Sequence, residues 1–110
     1  MIYMMVSLDL AKAEGERDDF NKYLADLKWT KLSNVDTVWA FHMAYNSGDF
    51  ILVQNYITAT LLTAAKEFKL EKISYVAQIG DAKAVGGQIV KKNGVYSTPT
   101  FNPYVKQPKA

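Results

Sequence analysis

The sequence predicts an α+β fold in which two helices cover one face of an antiparallel sheet. Three observations support this prediction. Several segments alternate apolar and polar residues with the two-residue period of a half-buried strand. Two other segments repeat apolar residues at the spacing of an amphipathic helix. Along the chain these segments follow the order strand, helix, strand pair, helix, strand, which is typical of compact α+β domains.

The first strand and the first helix are predicted in the N-terminal quarter of the chain. Residues 2–10 form an apolar run that is continuous to Val6 and alternates after it, so we expect a strand near the centre of the sheet. A helix is predicted over 16–28, because its first turn is acidic and suits the positive end of a helix dipole. The apolar stripe of this helix consists of Phe20, Leu24 and Leu27.

A pair of strands is predicted next. Residues 28–33 form a short alternating segment, and a turn-prone stretch at 34–36 separates it from a longer alternating run over 37–45. One face of the longer run is aromatic and contains Trp39 and Phe41. His42 lies on the opposite face, so we interpret it as a structural or solvent-facing histidine rather than a catalytic base.

The segment over 50–56 fits two structures. Its composition is that of a strand, which could close a hairpin with the preceding strand. Its apolar residues also continue the stripe of the helix predicted over 57–69, so the helix could begin earlier. Residues 72–80 then alternate as a strand that ends at a glycine.

This order predicts a ferredoxin-like β-α-β-β-α-β sandwich with two helices on one face of a four-stranded antiparallel sheet. The pair Gly86-Gly87 after the last strand is interpreted as a tight turn. We expect one domain over 1–90 and an extended C-terminal arm over 91–110. The arm contains three prolines, too many for a core strand, and we expect it to lie on a surface such as that of a partner subunit.

Composition excludes several classes of protein. The 110 residues include no cysteine and one histidine, so disulfides, thiolate zinc sites and cysteine nucleophiles are excluded. No apolar run approaches the length of a membrane span, and the N-terminal residues do not follow the pattern of a signal peptide, so we expect a cytoplasmic location. The glycine-rich and histidine-containing motifs of nucleotide-binding proteins and common hydrolases are absent. Because so short a chain buries only about 60–70% of its unfolded surface, we expect a homodimer.

Charge is distributed unevenly along the chain. The balance is −3 over 1–81 and +5 over 82–110, and the second segment contains no acidic residue. Such a segment can contact an anionic partner such as nucleic acid, although it is also typical of a solvated flexible end. The candidate binding residues are Arg17, Lys83, Lys91, Lys92 and Tyr96.

Asp9 is the candidate catalytic and metal-binding residue. It follows the apolar part of the first strand, which predicts a carboxylate at the rim of the sheet. Two such carboxylates related by a dimer axis could hold Mg²⁺ and activate a water molecule against a phosphodiester. The alternative is that Asp9 accepts hydrogen bonds from the backbone of the next loop.

The chain resembles a superfamily of small ferredoxin-like proteins related to the non-integrase subunit of the CRISPR spacer-acquisition complex, to VapD-type ribonucleases and to the antitoxin ribonuclease GhoS. The resemblance covers about residues 1–80, and the segments that carry it are 3–10, the helix that follows, 27–32, 37–39 and 73–80. The resemblance implies a homodimer with nucleic acid or a protein partner as its ligand. For some members it implies a metal-dependent nuclease centred on the strand-end acid, which corresponds to Asp9.

Three functions follow from these patterns. The first is a homodimer that binds nucleic acid or a nucleic-acid-handling protein, with a weak metal-dependent nuclease activity as an open question. The second is a non-catalytic interaction protein of a phage or mobile element that docks its arm on a host complex. The third is a dimeric module that binds a small molecule between sheet and helices.

Overall fold

The computed structural model describes residues 1–11, 15–33 and 37–105, apart from the side chain of Ser47. Within these ranges the chain forms two α-helices and one antiparallel sheet, so the predicted α+β fold is confirmed. The strands are β1 (Ile2–Ala11), β2 (Thr30–Lys31), β3 (Val38–Met43), β4 (Lys72–Ile79), β5 (Val85–Lys92), β6 (Val95–Ser97) and β7 (Thr100–Phe101). The helices are α1 (Arg17–Asp26) and α2 (Phe50–Glu67), the second preceded by a 3₁₀ turn at Ser47–Asp49.

The strands lie in the order β2-β3-β1-β4-β5-β6, and β7 also pairs with β5. β1 lies inside the sheet, between β3 and β4, as its apolar sequence predicted. It pairs with β3 from Ile2 opposite Met43, and with β4 from Met4 opposite Ile79. A strand with neighbours on both sides forms backbone hydrogen bonds along both of its edges. The alternation of its side chains then determines which face of the sheet is buried.

One face of the sheet is buried by both helices. Along β1 the side chains alternate strictly between buried and exposed from Ile2 to Leu10. The buried set packs in one core with α1 and α2, and Val6, Leu24 and Ile57 are fully buried there. Each large apolar side chain removed from water in this way stabilises the fold by about 1.5–3 kcal/mol.

The first helix ends earlier than predicted. Its stripe retains the buried Phe20 and Leu24, but Leu27 is exposed and not part of the core. The chain adopts a left-handed conformation at Lys28, with φ of 71°, which ends the helix and directs Trp29 inwards. There the indole of Trp29 stacks on Phe41, with ring centroids 4.3 Å apart. The strand predicted over 28–33 is reduced to the two residues of β2.

The ambiguous segment over 50–56 is helical. Asp49 accepts a hydrogen bond at Oδ2 from the backbone N–H of Asn46, at 3.0 Å, which stabilises the turn before α2. The helix then places Val53, Ile57 and Leu61 in the core. These three residues lie on one side of the chain only when it is helical. Their burial therefore determines the structure of the segment, despite the strand-like composition of its first turns.

The predictions of a four-stranded sheet and of a turn at Gly86-Gly87 are wrong. Both glycines lie inside β5, which pairs with β4. A Cβ on Gly86 would meet the ring of Phe101, and a Cβ on Gly87 would meet the phenol of Tyr75, at 2.5 to 2.8 Å. The glycines are therefore required by two aromatic rings that approach opposite faces of the strand.

The segment after residue 90 is part of the same sheet as far as Phe101. β5 continues to Lys92, a tight turn with positive φ at Asn93 and Gly94 follows, and β6 pairs back onto β5. β7 pairs with the Gly86 end of β5. These short strands tolerate the neighbouring prolines because they lie at the sheet margin. Residues 106–110 of the expected arm lie outside the described residues.

The contact at Gly87 yields a first prediction. Gly87→Ala should lower the free energy of unfolding by about 1–3 kcal/mol, because the added methyl group forces Tyr75 out of its site in the core. Gly48→Ala is the matched control, since no atom lies within 4 Å of its added Cβ, and its stability should change by less than about 0.5 kcal/mol. Urea unfolding measures both. Equal stabilities of the two variants would contradict the close approach of Tyr75.

Candidate nucleic-acid interface

The second face of the sheet is not covered by a helix in the described part of the chain. We call it the open face and define it by the residues of β1, β3 and β4 that alternate with the core residues. They are Tyr3, Met5, Ser7, Asp9, Ala11, Val38, Ala40, His42, Lys72, Ser74, Val76 and Gln78. This face mixes apolar and aromatic side chains with polar ones, and its charged members are Asp9 and, at the same end of the sheet, Lys72.

Two aromatic rings lie side by side at one end of the open face. Tyr3 on β1 pairs directly with His42 on β3, and their ring centroids are 5.5 Å apart with planes tilted by 47°. The side chain of Tyr3 is 68% exposed, and His42 is also exposed. The position of His42 is consistent with its interpretation as a solvent-facing residue. A ring with an uncovered face can accept a second planar group by stacking.

Asp9 lies on the open face, about 20 Å along β1 from Tyr3 at the usual rise of a strand. It pairs with Ser74 of β4 and borders a shallow depression of about 140 Å³, which Ser7, Val76 and Phe101 also line. No group of three or more metal-ligating side chains occurs within the described ranges. Asp9 can therefore contribute one carboxylate to Mg²⁺, and waters or substrate phosphates would have to supply the other oxygens.

The predicted cationic binding residues do not converge on one site. Lys91 and Lys92 lie at the end of β5, whereas Lys83 precedes the start of that strand. At about 3.3 Å per residue the two groups are separated by roughly the length of the strand, about 25–30 Å. Arg17 is the first residue of α1 and lines a small pocket beside Phe20, on the helix side of the sheet.

Tyr96 has a structural partner. Its hydroxyl lies 3.1 Å from the carbonyl oxygen of Ala65 and 2.8 Å from that of Leu70, so its one proton is directed at the C-terminal end of α2. The Nζ of Lys91 lies 5.8 Å from the centre of the Tyr96 ring, within the range of a cation–π contact. Burial, and then the negative charge of Glu71, raise the pKa of the Tyr96 hydroxyl. These contacts attach β6 to the helix layer.

Lys83 lies in the loop after β4, the strand whose last residues lie beside the start of β1. Gln78 of the open face donates hydrogen bonds from Nε2 to the carbonyl oxygens of Gly80 and Ala82, which order the loop before Lys83. The hydroxyl of Tyr104 accepts a hydrogen bond from the backbone N–H of Ala84, at 2.8 Å. Lys83 and Tyr104 together line a shallow pocket of about 320 Å³.

A cleft of about 470 Å³ lies at the Tyr3 end of the sheet. It is bounded by the start of β1, the end of β4 and the first turn of α2. Its lining includes the rings of Tyr3, Tyr45 and Phe50 and the side chain of Asp81. The sequence alone does not single out these residues, because they come from three separate segments, 1–3, 45–50 and 79–82. Tyr3 is the one lining residue that the sequence pattern could have indicated, because it is aromatic and yet lies on the face of β1 that alternates with the buried residues.

Comparisons with protein families, with curated proteins and with solved structures found no match. In the described ranges neither helix is long and apolar enough to span a bilayer.

The contacts of Tyr96 yield a second prediction. Tyr96→Phe should lower the free energy of unfolding by about 1–2 kcal/mol at neutral pH, because the carbonyls of the buried Ala65 and Leu70 lose the donor that they share. Since the folded pKa of Tyr96 is raised, the stabilisation by its protonated hydroxyl is complete below about pH 10 and is lost as the pH rises through the folded pKa.

Urea midpoints of the parent and Tyr96→Phe, measured at neutral pH and above pH 10, test both statements. The difference between the two proteins should shrink at alkaline pH. Tyr104→Phe removes an exposed hydroxyl and should retain the alkaline loss of the parent. A constant difference between the parent and Tyr96→Phe over the whole range would contradict the role of the Tyr96 proton.

Proposed function

We propose that the protein is a homodimeric, ferredoxin-like nucleic-acid-binding protein that takes a single strand on its open face. The order β2-β3-β1-β4 supports the ferredoxin-like description, with β5, β6 and β7 as an extension at the β4 edge. The observation that carries the function is the exposed pair formed by Tyr3 and His42 on adjacent strands. Open β-sheet faces with aromatic side chains are one of the recurring surfaces on which single-stranded bases stack.

The charge distribution favours stacking over phosphate contacts. Lys83 lies in the loop after Gly80, whose backbone N–H donates to the carbonyl oxygen of Tyr3. Lys72, Lys91 and Lys92 lie at the opposite end of the sheet. A duplex would present only its phosphates and groove edges to this face, because its bases are already stacked. A single strand exposes its bases, and each base that stacks on a ring contributes about 1–3 kcal/mol. Single strands are therefore the better ligand.

Binding to labelled single-stranded and double-stranded RNA and DNA over a salt series tests this proposal. Because one or two phosphates meet a cation, the logarithm of the affinity should fall with the logarithm of salt concentration with a slope of only about −1. Tyr3→Ala should weaken single-strand binding about tenfold through lost stacking. Leu52→Ala, which removes an exposed apolar side chain from α2, is the control and should bind as the parent does.

Two outcomes would contradict the proposal. The first is no binding to any single strand at low salt. The second is equal weakening by Tyr3→Ala and Leu52→Ala, which would exclude the open face as the binding surface.

Lys83→Gln should make the slope of log affinity against log salt concentration less steep by about 0.7, the value expected for one phosphate contact on a single strand.

A metal-dependent nuclease activity through Asp9 is a further part of the proposal. Asp9 supplies one carboxylate on the same face that holds the strand, about 20 Å from Tyr3 along β1. A dimer that brings two copies of Asp9 together would provide the pair of carboxylates that such chemistry requires.

Asp9→Asn should abolish Mg²⁺-dependent cleavage of a bound strand and leave the strand's affinity and the unfolding temperature unchanged. Asp26→Asn removes a carboxylate from the end of α1 and should cleave as the parent does. Cleavage by Asp9→Asn at the parental rate would remove Asp9 as the catalytic residue. Light scattering across a dilution series measures the dimer independently of either activity.

The alternative function, in which the arm docks on a host complex, is tested by deleting part of the arm. Deleting residues 91–110 would also remove the end of β5 and all of β6 and β7, so a loss of function would reflect damage to the sheet. Deleting only 106–110 leaves every described strand intact. A partner complex that survives this shorter deletion does not depend on the last five residues.

A further inference from the structure

We infer that the cleft at the Tyr3 end of the sheet binds one base of the strand and prefers guanine. This inference rests on the proposed function, because the base enters the cleft from a strand stacked on the open face. The cleft volume of about 470 Å³ lies within the usual range for small-molecule sites and accommodates a nucleoside. Tyr3 belongs both to the ring pair and to the cleft, so the two surfaces are continuous.

The walls of the cleft suit a planar ring. Tyr45 and Phe50 are half-buried and pack against the hydrophobic core, which holds their rings in place. Tyr3 is largely exposed and can adjust to a bound ligand. Ile79, buried at the end of β4, adds an aliphatic surface to the lining. A flat aromatic ligand can thus lose its water to rings and aliphatic groups without burying a charge.

Two residues with polar side chains, Asn46 and Asp81, line the cleft, and the carboxylate of Asp81 indicates which base it takes. Asp81, in the turn after β4, is exposed and lines the cleft. Asp49, on the other side of α2's first turn, already accepts the N–H of Asn46. An ionised carboxylate accepts hydrogen bonds and donates none. Guanine presents two parallel donors, N1–H and the N2 amino group, which match the two oxygens of a carboxylate, whereas the other bases present fewer adjacent donors on that edge.

The experiment compares an oligothymidylate with the same strand carrying one central guanine. The guanine strand should bind about tenfold more tightly, the order expected for one bidentate base contact. Deoxyinosine lacks the N2 amino group and should lose the preference. 7-Deazaguanine retains both donors and should keep it. Asp81→Asn should remove the preference without changing the affinity for oligothymidylate, and Asp18→Asn, an exposed acid on the first turn of α1, is the control.

A second measurement separates this inference from the proposed function. Guanosine and inosine monophosphates are titrated while the backbone amide resonances of Tyr45 and Asp81 are followed, with guanosine expected to give the larger shifts. Single-strand binding without a guanine preference, or a preference that Asp81→Asn retains, would overturn the inference and leave the proposed function standing. Binding of guanosine monophosphate without binding of any single strand would overturn the proposed function and support guanine recognition by the cleft. Failure of both would overturn both.

Discussion

Antiparallel pairing of β1 with both β3 and β4 is the constraint on which the rest of the structure depends. Because β1 uses its hydrogen bonds on both edges, its side chains alone decide the two faces of the sheet. The alternation from Ile2 to Leu10 is uninterrupted, so a shift of one residue would move the entire apolar set out of the core. Both helices are then confined to the face that β1 buries, and no helix of the described ranges covers the other face.

The glycine pair of β5 shows how the sheet is extended beyond that centre. Gly87 leaves room for Tyr75, whose hydroxyl forms a 2.9 Å hydrogen bond with Thr58 of α2 on the core side. Gly86 leaves room for Phe101 on the other side. β5 therefore packs against the buried phenol of Tyr75 on its core side and against the ring of Phe101 on its opposite side. Tyr96 attaches the same segment to the end of α2, so residues 95–101 belong to the body of the protein.

The two ends of the sheet differ in chemistry, and the difference bears on function. One end holds Lys91 and Lys92 at the end of β5, with the ammonium group of Lys91 near the ring of Tyr96. The other end holds the Tyr3 and His42 rings and the aromatic cleft, with Lys83 in the adjoining loop. The positive charge of the C-terminal quarter is thus divided between ends about 25–30 Å apart. For the nucleic-acid binding that we propose, this division favours recognition through bases over recognition through a continuous row of phosphates.

Periodicity in the sequence by itself determined β1, β3, β4 and the later part of α2, because the pattern of each element reflects burial against one layer and is visible within a few residues. The tertiary structure decided the rest. The segment at Phe50 to Tyr56 has strand-like composition, and its helical form depends on the Asp49 turn and on Val53 reaching the core. Gly86 and Gly87 have low strand propensity, and only the distant rings of Phe101 and Tyr75 explain why β5 contains them. Asp9 could be placed on a strand from sequence, but the cleft of Tyr3, Tyr45, Phe50 and Asp81 could not, since three segments distant in sequence meet only when the sheet is assembled.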